Sequence, residues 1–295
     1  MHEINNKKNV KKITLINQSK IITPVLILCF DRPDNLKILF KYLKKYHVQN
    51  IYISQDGYSG LDLNIRKRHN EVKNLIRKID WTKSVKKNFF KKNLGKQIAP
   101  PKGVDWFFKK VKKGIIIEDD TIPSRSFFSF CDILLKKHLK NRNIFQICGS
   151  ATLPRKFGNI TYISSLPFMH GWATWRNRWA RYKYKMKNIE ELRNNENFIK
   201  NVPNFYARLF WLSLFKEFKD GKHKTWDYTI VKDCISNNLG CIKPSFNMIS
   251  NIGYKDSRHP LNKRKKLEVK KFNHLVNKHN NYKGRRDTRI NICNS

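Results

Sequence analysis

Through the first half of the chain, short apolar runs alternate with stretches of helical period. "TPVLILCF" (23–30) is a continuous apolar run of strand length and reads as a buried strand. In the following "DRPDNLKILFKYLKKY", Pro33 suits a first helical turn, and Leu36, Leu39, Phe40 and Leu43 recur at helical spacing. "NIYISQDG" (50–57) predicts a second strand ending in an Asp-Gly turn. A helix over about 62–78, a basic strand "SVKKNFF" and a helix over about 98–113 then lead into a third apolar strand, "GIIIEDD". Ser124 is placed to cap a helix with an aromatic face, "SRSFFSFCDILLKKHLK", and "NIFQICG" reads as a further strand.

Strands alternating with helices predict an α/β fold with a mostly parallel, doubly wound sheet. The second half is less regular. It offers the aromatic-rich "MHGWATWRNRWARY", a helix around 204–219, and a helix in "TWDYTIVKDCISNNLG" closed by Gly240. Trp172, Trp175 and Trp179 stand at i, i+3 and i+7, the spacing of a helical stripe. Core packing is the default for such a stripe, and the other reading is a stacking platform beside His170 and Gly171. No internal repeat of solenoid period is present.

The ends of the chain differ from its middle. Residues 1–20 are polar and basic and are expected to be poorly ordered; from about 256 to 295 apolar residues thin out, and "NKRKKLEVKK" and "YKGRRDTR" read as a basic tail. Overall, 62 Lys and Arg against 22 Asp and Glu give a net charge of +40. That balance fits an anionic partner, a membrane surface or a nucleic acid, but the lysines are spread along the whole length and also fit a compositional background. The six cysteines form no C-x-x-C pair and no Cys/His ligand spacing, so neither a zinc site nor a redox motif is indicated. Cys29 and Cys148 sit in apolar runs as buried thiols, so a reducing, cytoplasmic compartment is expected. No apolar stretch reaches a spanning length, and the first twenty residues have no signal-peptide core.

Against this basic background, Glu118, Asp119 and Asp120 stand together at the end of an apolar strand. Ligands of doubly wound sheets bind beyond the carboxyl ends of the strands. Asp31 and Arg32, Gln55 and Asp56, and Glu118 to Asp120 all fall at such ends and should converge on one rim. Three adjacent carboxylates repel one another and call for a cation. Their hard oxygens suit Mg²⁺ or Mn²⁺, and an ion held by one or two protein groups keeps positions open for phosphate oxygens. The other reading is a solvated loop whose charges pair with nearby lysines.

The ordered segments "LCFDRPDNL", "IYISQDG", "NLGKQ", "GVDWFFKKVKKGIIIEDDTIPSRSFFSFC", "HGWATWRNRW", "TWDYTI" and "NMISNIGY" resemble a bacterial branch of the GT-A nucleotide-sugar glycosyltransferases. That branch is distantly similar to N-acetylglucosaminyltransferase I. The resemblance runs from about residue 22 to 259. It implies a GT-A catalytic domain over 21–255, with a donor-binding half over about 21–150 and an acceptor half over about 151–255. It also implies an inverting, metal-dependent transfer from a nucleotide-diphosphate donor, commonly UDP-linked, to a surface glycan such as lipopolysaccharide or capsule.

By the same resemblance, Arg32 and Asp56 lie against the base and ribose, Asp120 ligates the metal, Asp119 contacts the ribose or the metal shell, and Glu118 contacts the donor sugar. Asp227 matches the general base, although a carboxylate there also suits a helix N-terminus after Thr225. Lys96, after "NLG", is placed to approach the nucleotide, and His259 to close over the diphosphate, while a lysine or histidine in such a basic loop also reads as a plain surface residue. Where the family carries an acidic-polar pair after "QICG", this chain has Ser150 and Ala151. A lipid-linked acceptor would give the basic surface a role at the inner face of a membrane. Two readings compete with this one: a basic nucleic-acid-binding protein with an incidental acidic cluster, and an inactive relative of the enzymes.

Overall fold

The computed structural model of the protein describes residues 20–151, 161–223 and 225–253. The expected N-terminal arm up to residue 19, the tail from 256 onward, His259 and Cys293 lie outside them.

In chain order the elements are β1 (Val25–Cys29), α1 (Pro33–Lys45), β2 (Asn50–Gln55), α2 (Leu63–Arg77), β3 (Ser84–Phe89), α3 (Ala99–Lys110), β4 (Lys113–Glu118), β5 (Thr121–Pro123), α4 (Arg125–Lys137), β6 (Ile144–Cys148), β7 (Tyr162–Ser164), β8 (Trp172–Trp175) and α5 (Arg176–Trp179). A 3₁₀ turn (Glu190–Asn194), α6 (Glu196–Asn201), α7 (Phe205–Lys219), α8 (Tyr228–Ser236), β9 (Gly240–Lys243) and β10 (Ile249–Asn251) follow. Eight strands form one sheet in the order β3-β2-β1-β4-β8-β6-β9-β7, and β10 pairs with β5 in a separate ribbon. All strands of the large sheet run parallel except β8 and β7. The fold is a mixed α/β structure around a mostly parallel sheet.

Local chemistry accounts for the first half. Every residue of β1 is buried, because Val25, Ile27 and Cys29 face one apolar layer while Leu26 and Leu28 face the other. Helices α1, α2 and α4 cover the first layer; α3 and α8 cover the second. Helix α1 starts at Pro33, and α2 starts where the Asp62 carboxylate accepts from the amides of Asn64 and Ile65 at 2.8 and 3.1 Å. On α3, Gly103 lets the helix lie close to the sheet: a Cβ there would stand 2.7 Å from the Leu28 side chain. Ser124 holds the N-cap position of α4, but its hydroxyl makes no capping bond. The five cysteines among the described residues are buried thiols, and burial pushes the Cys29 thiol well above its ordinary pKa.

The second half corrects two expectations. The tryptophan stripe is not helical: Trp172 and Trp175 are the ends of strand β8, and only Trp179 belongs to the short α5. An odd offset along a strand points two side chains to opposite faces, so Trp172 packs in one layer and Trp175 in the other. All three indoles are buried. Gly240 does not close α8 but opens β9; the helix ends at Ser236, and the left-handed Asn238 (φ 52°) turns the chain. A third apolar cluster, including Phe198, Val202, Phe215, Phe218 and Ile235, seats α6 and α7 against α8.

Candidate functional site

From β1 the chain moves outward to β2 and β3, then returns to place β4 on the other side of β1. That reversal opens a crevice at the carboxyl ends of β1 and β4, where such sheets bind ligands. Asp31 and Arg32 follow β1, Asp56 follows β2, and Glu118 is the last residue of β4. The amide of Asp119 donates to the Leu28 carbonyl at 3.0 Å, which ties the acidic triplet to the end of β1. A cavity of about 880 Å³ lies over this rim. Its wall includes Arg32, Asp56, Lys96, Glu118, Asp119, Asp120 and Asp227 together, whereas Gln55 and Gly171 are not part of it and His259 lies outside the described residues.

The triplet already has a cation. One terminal nitrogen of Arg32, Nη1, donates to Asp119 Oδ1 at 3.3 Å and to Asp120 Oδ2 at 2.9 Å. The Phe30 amide donates to the other Asp119 oxygen at 3.3 Å. Glu118 accepts no hydrogen bond among the described residues. Burial, followed by the charges of Asp120, Asp119 and Asp227, pushes its pKa up to about 8. Burial also lifts Asp119 to about 7, with Arg32 opposing the rise. Glu118 and Asp227, far apart in the sequence, line the same cleft.

Asp227 precedes α8 in the N-cap position but makes no side-chain capping bond. Its carboxylate turns into the cleft, and the Thr225 hydroxyl donates a short hydrogen bond to Asp227 Oδ1. Asp56 is engaged differently. Its Oδ1 accepts from the amides of Gly57 and Leu94 at 2.8 and 2.9 Å, and its Oδ2 accepts from Gly95 at 2.9 Å. Asp56 therefore holds the 93–95 loop in place, and few of its acceptor positions are left for a ligand. Lys96, next along that loop, stands exposed on the cleft wall. Beside these groups, Arg68 donates from Nε and Nη2 to a single Asp31 oxygen at 3.1 and 2.8 Å.

His170 lines the cleft as expected, while the aromatic wall is made by residues other than the Trp172 group: Phe168, Trp211, Trp226 and Tyr228. The Trp211 Nε1 donor is buried without a hydrogen-bond partner among the described residues. Thr225 and Trp226 flank Asp227 inside the "TWDY" motif, and Asn251 comes from the "NMISNIGY" motif. Those motifs were the available signal, though only Asp227 was singled out within them. Gly253 backs the triplet closely: a Cβ at this position would lie 2.5 Å from Asp120 Oδ2.

No protein-family model matches this chain, and no curated protein matches it. Among solved structures it is similar to HddC from Yersinia pseudotuberculosis, with 14% identity over 56% of this chain and 83% of that one and a TM-score of 0.35. The same protein complexed with GMP-PN gives 15% identity over 56% and 82%, with a TM-score of 0.34. Likeness at this level carries no argument about either chain's site.

The donor chemistry suits a hard divalent cation. Among the described residues no three His, Cys, Asp or Glu side chains gather as a complete ligand set. Asp119 and Asp120 nevertheless offer adjacent carboxylates in a cleft with surplus negative charge, and Mg²⁺ or Mn²⁺ takes few protein ligands when phosphate oxygens supply the rest. Binding of this kind would exchange part of the Arg32 contact for the ion.

Proposed function

We propose that the protein is a metal-dependent, inverting glycosyltransferase of GT-A type, moving a sugar from a nucleotide-diphosphate donor, UDP-linked by the resemblance, to a hydroxyl of a surface glycan. The observation that carries this reading is the meeting of Glu118, Asp119 and Asp120 with Asp227 in one cleft at the reversal point of the sheet. A metal ligand and a base lining one cleft suit inverting glycosyl transfer to an alcohol, in which the leaving diphosphate and the attacking hydroxyl lie on opposite sides of the sugar.

In this reading Arg32 and Asp56 border the base and ribose, with Asp56 acting chiefly through the loop that it holds. Lys96 approaches the nucleotide from that loop. Asp120 ligates the cation, Asp119 contacts the ribose or the metal shell, and Glu118 faces the donor sugar. When bound, Mn²⁺ or Mg²⁺ neutralises charge on the departing diphosphate. Thr225 holds one oxygen of Asp227, leaving the other to accept the acceptor's proton as its oxygen attacks the anomeric carbon. Phe168, Trp211 and Trp226 give that side of the cleft flat apolar surfaces suited to a sugar face.

The test is binding of UDP, GDP, CDP and dTDP with Mn²⁺ and then with chelator, for the native chain and Asp120→Ala. One nucleotide should bind, and its binding should need both the ion and Asp120. Failure of all four to bind the native chain in Mn²⁺ overturns the reading.

A further inference from the structure

Helix α7 is apolar on both sides. Ala207, Phe215 and Phe218 are buried against the third cluster, while Phe205, Tyr206, Leu209 and Phe210 face solvent with 58, 78, 39 and 51% of their surface exposed. A helix on a water-facing surface ordinarily turns a polar side outward. Positions i, i+1, i+4 and i+5 spread over about 140° of the helix circumference, so these four side chains share one side of the first two turns. They are four of the ten large hydrophobic residues exposed among the described residues. Such concentration marks a surface that is covered by something.

Charge indicates what covers it. No acidic residue lies between Phe205 and Lys216. Arg208 rises within the patch, its guanidinium 5.8 Å from the Phe205 ring centre and bonded to the carbonyls of Val202 and Pro203 at 3.0 and 2.8 Å. Lys216 and Lys219 follow on the same helix, and the acid between them, Glu217, is paired with His223 at 2.8 Å. A second copy of this chain would bring another +40 against the patch, whereas an anionic bilayer neutralises that charge while accepting the rings.

We infer that this face of α7 docks on an anionic lipid bilayer, seating Phe205, Tyr206, Leu209 and Phe210 at the boundary between headgroups and acyl chains and setting Arg208 among the headgroups. No described helix is long and apolar enough to cross a membrane, so the attachment is to one leaflet. Trp211, the next residue, lines the cleft, and docking therefore brings the cleft beside the lipid surface. Delivery of a lipid-linked acceptor to that cleft rests on the proposed function; the docking itself does not.

The experiment is co-sedimentation of the full chain with phosphatidylglycerol-containing vesicles and with pure phosphatidylcholine vesicles. The native chain should partition strongly to the first and weakly to the second. Tyr206→Ser/Phe210→Ser should reduce partition to the anionic vesicles by about tenfold or more. Leu61→Ser, away from α7 in the sequence and 98% exposed, should leave it unchanged. Matching thermal melts show that the variants are folded. Equal partition of the double variant and the native chain overturns the inference, as does a native chain that ignores both vesicles. Conversion of a native dimer to a monomer by the double variant, without vesicle binding, would assign the face to a second copy. No nucleotide enters the assay, so its failure leaves the glycosyltransferase reading standing.

Discussion

Arg32 Nη1 lies 2.9 Å from Asp120 Oδ2, so a guanidinium already neutralises the carboxylate proposed as the metal ligand. A bound ion would have to compete with that built-in charge. Arg32→Ala should therefore bind free Mn²⁺ about tenfold more tightly than the native chain, about 1.4 kcal/mol. The same change should weaken binding of the Mn²⁺–nucleotide pair. Paramagnetic resonance of free Mn²⁺, titrated with and without nucleotide, reads both effects; unchanged Mn²⁺ affinity would separate Arg32 from the metal's position.

Stability should fall as pH rises when a chelator is present. Glu118 is raised from 4.5 to about 8 and Asp119 from 3.8 to about 7. Between the lower and upper values the unfolded chain has released protons that the folded cleft retains. Raising the pH therefore favours unfolding across this window, and the loss ends once both groups have ionised in the fold. On the order of 1 kcal/mol per pH unit is expected between about pH 5 and 7. Urea unfolding should show this slope, and Glu118→Gln should reduce it by about half, because Asp119 still titrates.

Asp227→Asn keeps the shape of the base but not its proton affinity. Sugar transfer should drop by about 10²- to 10⁴-fold while nucleotide binding remains within about twofold of native. Thr225→Val removes the hydroxyl that fixes one Asp227 oxygen, and a smaller loss, about tenfold in kcat, should follow. Equal transfer by native and Asp227→Asn enzymes would remove this residue from the chemistry.

Asp56→Ala leaves the amides of Gly57, Leu94 and Gly95 without their acceptor. Unsatisfied buried donors make this substitution destabilising by about 2–4 kcal/mol, measured by urea unfolding. Protease cleavage within 93–97 should become faster. A chain of native stability would mean that Asp56 serves the ligand rather than the loop.

Gly253→Ala tests the backing of the triplet. Its methyl would sit 2.5 Å from Asp120 Oδ2 and 3.1 Å from Asn251 Oδ1, so Asp120 must turn away. Metal-dependent nucleotide binding should weaken by about tenfold or more. The unfolding midpoint should move little, because the displaced group faces the cleft. Calorimetry on the two proteins separates these effects.

The alternating half of the chain was legible because its signals are local. The continuous apolar run of β1 reflects burial on both faces, and Pro33 marks the start of α1 from a single position. Elements of the second half carry no comparable period. Strands β5, β7 and β10 are three residues long, and β8 is fixed by β4 and β6 on either side of it. Trp172 and Trp175 imitate a helical stripe because an offset of three fits a helix and also sends strand side chains to opposite faces. In the cleft, strand ends and motifs drew attention to Glu118 and Asp227. The contact between Arg32 and Asp120 joins residues 88 positions apart, and the use of Asp56 by the 93–95 loop depends on a fold that no local pattern specifies.

At one end of the large sheet, no strand among the described residues pairs with the outer edge of β3. Lys86 and Lys87 stand exposed in the middle of that strand. An incoming strand from another molecule would have to desolvate both ammonium groups to pair there, which makes edge-to-edge polymerisation unfavourable. Part of the chain's lysine excess thereby acts as a guard on the open side of the sheet, keeping separate molecules apart while they are crowded together.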